Sequence, residues 1–119
     1  MQTISLAGTW ELVRGEIAEP GQAPQPYDMQ RLSARKVLSA TGFAFITLQD
    51  GQFYSAGSGS YTLQDGHYVE TIALASWGAS AGTQFAFRSQ LTATGEWQNE
   101  RFGEQGERLE FEIWRRVAG

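Results

Sequence analysis

The chain has 119 residues, enough for one domain spanning positions 1–119 that buries roughly two thirds of its unfolded surface without staples. It contains no cysteine, which excludes disulfides, thiolate nucleophiles and thiolate metal sites. Its net charge of −4 is spread over interspersed acids and bases and leaves no basic footprint for nucleic acid or anionic lipid.

Gly8 to Ile17 alternates, with Trp10 and Leu12 on one side, and reads as a first strand. Ala18 to Ser33 is a loop holding Pro20, Pro24 and Pro26; within it, Tyr27–Leu32 has room for one or two helical turns acting as a lid over an open end. Ala34–Ser39 and Gly42–Gln49 follow as strands, and Asp50-Gly51 turns the chain into a short strand over Gln52–Ala56. Two alternating runs then flank Asp65-Gly66, the dipeptide best suited to the two positive φ angles of a type I′ turn. That turn sets Leu63 opposite Tyr68, Tyr61 opposite Glu70, Gly59 opposite Ile72 and Gly57 opposite Leu74. The other face carries Ser58 with Ala73, Ser60 with Thr71, Thr62 with Val69 and Gln64 with His67. The face with Leu63, Tyr68, Ile72 and Leu74 is the apolar one, and a single carboxylate, Glu70, sits on it. Beyond the Trp77–Gly82 loop, Gln84–Leu91 is a strand with Phe85, Phe87 and Leu91 on one side. Thr94-Gly95 leads into Glu96–Phe102, and Arg108–Arg116 is the last strand.

About eight or nine short strands in meander order, with almost no helical periodicity, predict an all-β fold. A sheet that long removes its edges by closing into an antiparallel up-and-down β-barrel; a Greek-key sandwich is the alternative. A barrel of about eight strands either fills with side chains or holds one small ligand.

A buried carboxylate is costly unless paired or hydrogen-bonded, so Glu70 is the most informative residue. It reads as a polar anchor for a ligand or a general acid/base. The plainer reading is a structural acid satisfied by Tyr61 and an arginine such as Arg14, Arg88 or Arg101. Phe45, Phe87 and Trp97 read as cavity wall or as core, and Tyr61 as a wall hydroxyl or as cross-strand packing. Tyr68, beside the turn, reads as packing with its hydroxyl in solvent. Gly57 and Gly59 either leave room for a ligand or mark a bend or bulge. His67, the only histidine, follows the turn on the polar face, which argues against a Ser-His-Asp triad and against a histidine zinc site. No metal or cofactor is expected. Gly57-Ser58-Gly59-Ser60 is no phosphate cradle, because no helix follows it.

Gly8-Thr9-Trp10 opening the first strand and Arg115-Arg116 closing the last resemble the calycin pattern of lipocalins and fatty-acid-binding proteins. There, a first-strand tryptophan plugs one barrel end and a late arginine packs across it. Further along, Lys36-Val37-Leu38, Phe43-Ala44-Phe45, Gly59-Ser60-Tyr61-Thr62-Leu63, Asp65-Gly66, Tyr68-Val69-Glu70, Trp97 and Glu112-Ile113-Trp114-Arg115-Arg116-Val117 are similar in order and spacing to small bacterial lipocalin-like domains of unassigned function. The resemblance implies a calycin barrel with a ligand cavity. One departure is Gly42, where such domains often place a histidine.

On the last strand, composition alone turns Leu109, Phe111 and Ile113 inward, whereas the resemblance turns Glu112 and Trp114 inward. We read Glu112 and Trp114 as inward. That leaves an apolar Leu109/Phe111/Ile113 stripe outside and points to a homodimer.

The expected function is therefore a non-enzymatic binding protein for a small apolar or amphipathic molecule. Phe45, Tyr61, Phe87, Trp97 and Trp114 form its walls and Glu70 and Glu112 its anchors; two inward acids favour a ligand with donor or cationic groups. The alternatives are a cofactor-free cyclase or isomerase in which Glu70 and Tyr61 move protons, or an interaction domain with a filled core. No apolar run approaches the ~20 residues that cross a bilayer. The first residues also lack a leader's basic and apolar regions, so a cytoplasmic location is expected; a secreted protein already stripped of its leader would read the same.

Overall fold

The structure is a computed structural model and describes residues 5–19 and 21–117. It is all-β. The elements are β1 (Gly8–Ile17), β2 (Gln25–Pro26), β3 (Leu32–Leu38), β4 (Gly42–Gln49), β5 (Gln52–Gln64), β6 (His67–Ala75), β7 (Gln84–Leu91), β8 (Glu96–Phe102) and β9 (Arg108–Arg116). Each strand from β3 to β8 pairs antiparallel with the next; β1 pairs with both β3 and β9, which closes the sheet, and β2 is a two-residue addition to β1. This is the closed, up-and-down eight-stranded barrel that the meander of strands predicts, with one extra strand. Among the described residues no helix is long and apolar enough to cross a membrane.

Turn chemistry fixes the central hairpin. Asp65 (φ 53°) and Gly66 (φ 78°) both adopt the left-handed conformation a type I′ turn demands. Pairing from Gly59–Ile72 to Gln64–His67 follows the predicted register, and Tyr68, Glu70 and Ile72 are buried in consequence.

Beyond Gly59 the expectation is corrected. A bulge at Ala73 sets Ser58 opposite Leu74 and Gly57 opposite Ala75, so Leu74 turns out to solvent and is 73% exposed. The glycines do not hollow out a cavity there. A Cβ on Gly59 would collide with the Thr71 carbonyl, and the space beside Gly57 is taken by the rings of Phe45 and Trp77. Two further expectations change. Gln52–Ala56 is not a separate strand: it runs on into Gly57–Gln64 as one long β5 with a bulge at Tyr54. The third strand begins at Leu32, two residues earlier than predicted, and ends at Leu38.

Among its described residues the proline loop forms no helix. Gln25 and Pro26 pair with Ile17 and Glu16, and a single turn follows, in which the Arg31 and Leu32 amides bond to the Asp28 carbonyl. Tyr27, just before that turn, and Met29, within it, pack against the core; Pro20 lies outside the described residues.

One end of the barrel is plugged. Trp10 and Trp97 are fully buried with ring centroids 5.2 Å apart, and Trp97 meets Tyr68 edge-on at 5.0 Å. Arg116 stacks 4.3 Å over Trp10 and donates to the Ala7 and Ser5 carbonyls, while the Trp10 indole N–H donates to Leu6 O at 2.9 Å. Burial of these large rings stabilises that end, and edge-on contacts add to it.

Candidate functional site

The side chains that carry chemistry converge in the barrel interior, and strand alternation brings them there. On β3, Ala34, Lys36 and Leu38 are buried while Ser33, Arg35 and Val37 are exposed. Lys36 is thus carried inward by the strand's own period. Its ammonium crosses the lumen to Glu70 on β6, with Nζ 2.8 Å from Oε2, and the Tyr68 hydroxyl donates to the same oxygen at 2.7 Å. Tyr68 and Glu70 are two residues apart on one face, so the tyrosine is placed to serve the acid.

Five rings surround the Lys36 ammonium: Trp114 at 5.0 Å, Trp97 at 5.6 Å, Tyr68 at 5.7 Å, Phe45 at 5.8 Å and Phe43 at 6.0 Å. Each lies within cation–π reach, so ring faces replace much of the water the ammonium gave up. Burial alone would push its pKa down. The Glu70 and Glu112 carboxylates outweigh that and hold Lys36 above the ordinary lysine range, so it stays charged.

Glu112 lies on β9, directly opposite Asn99 of β8 and Gly15 of β1. A bulge at Val13 sets this register, and with it Glu112 and Trp114 both look inward. The carboxylate accepts from the Tyr27 hydroxyl at 2.9 Å and from the Trp114 indole N–H at 3.2 Å. Burial pushes the Glu112 carboxyl from an ordinary 4.5 up to about 7, and repulsion from Glu110 and Glu70 adds to this against the pull of Lys36 and the Tyr27 hydroxyl. The Tyr27 and Tyr68 phenols are raised far above their usual range, first by burial and then by the acids they serve, so both act as donors. Asn99 is 3% exposed, and its Oδ1 has no hydrogen-bond partner among the described residues. Two rungs further along, on the same face, Arg101 pairs with Glu110 at 3.0 Å and lies over the Phe85 ring.

Glu70, Trp97 and Trp114 meet around Lys36, with Phe45 beside them stacked on Trp77 at 5.6 Å. Phe87 is buried against Tyr68. Tyr61 faces Glu70 in register and stacks on Tyr68 at 5.4 Å, but its hydroxyl donates to the Ser39 carbonyl. Satisfaction of Glu70 by Tyr61 and an arginine is therefore corrected to Tyr68 and Lys36. Arg14 instead stacks on Phe111 and Arg88 on Phe102. The Tyr68 hydroxyl, expected in solvent, is buried. The expected open stripe on β9 is corrected too: Ile113 is 2% exposed, and Phe111 is covered by the guanidinium of Arg108 at 4.5 Å as well as by Arg14. His67 begins β6 on the exposed side, near Arg88 and Glu100.

Lys36, Asn99 and Tyr27 are the residues that reading the sequence missed. The signal for Lys36 was present: Leu32, Ala34, Lys36 and Leu38 alternate as Glu70's neighbours do, with one charge on an apolar face. Asn99 carried a weaker one, lying between Trp97 and Arg101 on a strand with little apolar contrast. Nothing local marked Tyr27.

No protein-family model matches the chain, and no curated protein matches it. The closed eight-stranded antiparallel barrel is compatible with a calycin-like fold.

Proposed function

We propose that this is a lipocalin-like binding protein that holds a small apolar or amphipathic molecule inside the barrel. Phe45, Tyr61, Phe87, Trp97 and Trp114 serve as walls and Glu70 and Glu112 as polar anchors. The observation that carries this reading is the polar cluster of Lys36, Glu70, Glu112 and Asn99 set among aromatic rings, with a buried acceptor, Asn99 Oδ1, that no described residue satisfies. Ligand sites have this composition: apolar walls and a few convergent polar groups. Stability alone is a poor reason for such a cluster, since well-packed apolar residues in place of a buried ion pair are often neutral or stabilising.

Native mass spectrometry of freshly purified protein tests the proposal. A co-purified small molecule released on unfolding is the expected result, and displacement of a neutral dye by candidate ligands is the second measure. A bare mass together with refusal of the dye would favour a filled interaction domain. The same spectrum counts subunits and so tests association of two copies.

A second reading, a cofactor-free cyclase or isomerase, draws on one observation. Glu112, near 7 and bonded to the Tyr27 hydroxyl, suits proton transfer at neutral pH better than Glu70, which is tied to Lys36. Turnover governed by an apparent pKa near 7 would favour it over the carrier.

A further inference from the structure

We infer that the molecule held in the barrel is a protonated amine on an apolar body, its ammonium received between Glu112 on β9 and Asn99 on β8. This rests on the binding reading above and adds the ligand's charge.

Glu112 and Asn99 are direct cross-strand partners, so their side chains leave neighbouring strands at the same level. Each lacks a charged donor in a different way. The Asn99 Oδ1 is buried without a partner among the described residues, and the hydrogen bonds Glu112 accepts come from two neutral groups, the Tyr27 hydroxyl and the Trp114 indole. The neighbouring interior acids are matched: Glu70 with Lys36 and Glu110 with Arg101. Two acceptors side by side, one of them ionisable, fit a group with several N–H donors and a positive charge, and an ammonium has both. The chain supplies its own precedent, because the Lys36 ammonium already lies among five rings of the same interior. A carboxylate ligand would meet Glu112 instead, with the two cations nearby already committed, Lys36 to Glu70 and Arg101 to Glu110.

The groups facing Glu112 or its bonding partners are Glu110 on its own strand, Lys36 on β3, Glu70 and Tyr68 on β6, Asn99 and Arg101 on β8, and Tyr27. A cation beside Glu112 favours its ionised form. Amine binding therefore expels a proton from Glu112 below neutrality, and affinity climbs with pH until that carboxyl is fully ionised.

Isothermal titration calorimetry of the full chain with phenethylamine, phenethyl alcohol and hydrocinnamate tests this. Phenethylamine is expected to bind best, at least about tenfold more tightly near pH 8 than near pH 5.5, with heats near pH 6.5 that depend on the buffer's ionisation enthalpy because a proton is released. Glu112→Gln should flatten the pH dependence. The buffer-dependent heat is read on the unaltered chain, so the test stands whether or not that variant folds. Equal or tighter binding of the alcohol or of hydrocinnamate, or amine binding indifferent to pH, overturns the inference and leaves the binding reading intact. So does uptake of neutral Nile red that phenethylamine fails to displace. Refusal of the dye and all three probes overturns both.

Discussion

Within one layer of side chains the barrel interior changes character. At the plugged end, Trp10, Trp97, Leu38 and Phe43 meet as an apolar mass, and the polar atoms there are met locally: the Trp10 indole by Leu6 O and the Trp97 indole by the Ser89 hydroxyl at 2.8 Å. One step along, Lys36, Glu70, Glu112 and Asn99 share a space walled by the same rings. Burying the first group lowers free energy whatever the geometry, since apolar transfer is non-directional. The second is tolerated only while its charges are paired or hydrogen-bonded, because an isolated buried charge costs several kcal/mol. The contrast teaches that apolar packing holds one end of this barrel, while the middle depends on specific polar pairing.

The sharpest attack on that contrast is at the plug. Trp97→Ala, which removes a fully buried ring touching Trp10, Tyr68 and Trp114, is expected to cost about 4 kcal/mol by urea denaturation. A loss under about 1 kcal/mol would mean the plug does not anchor the fold. Next comes the ion pair. Lys36→Met strands Glu70 and should cost roughly 3 kcal/mol, whereas Lys36→Met combined with Glu70→Leu should recover most of it, a double-mutant cycle that separates partnership from packing.

A smaller effect is read in pH. Glu112 binds its proton more tightly folded, near 7, than at its ordinary 4.5, so the stability it contributes is complete below about pH 4.5 and is lost as pH rises through 7. At about 1.4 kcal/mol per unit the ceiling on that loss is ~3.5 kcal/mol, reached only if the whole shift is expressed, and Glu112→Gln should erase that slope in melts run across the range. Smallest is Gly66→Ala in the hairpin turn, at φ 78°. Forcing a Cβ into the left-handed region there should cost about 1 kcal/mol with the interior unchanged, as judged by unaltered tryptophan fluorescence.

Much of this was legible in the residues. The Asp-Gly turns and alternating runs gave strand order, hairpin register and an inward Glu70, because period-two side chains and positive-φ turns are local properties of the chain. The same logic reached Lys36 in principle. It failed at the bulges, where one extra residue at Tyr54, Ala73 or Val13 shifts a ladder, and no local pattern distinguishes that residue from its neighbours. Leu74 is the plain instance: apolar, alternating in phase with Ile72, and yet outside.

By itself, then, the sequence determined a barrel of antiparallel strands with an acid on its inner wall, since those depend on neighbours two to four positions apart. Who meets whom across the lumen was decided only by tertiary structure. Lys36 and Glu70 are 34 residues apart, and Tyr27 and Glu112 are 85 apart. Such pairs exist because closure of the sheet sets β3 within reach of β6 across the lumen and β9 beside β1, where Tyr27 lies against Gly15, and that depends on bulges, register and strand number acting together.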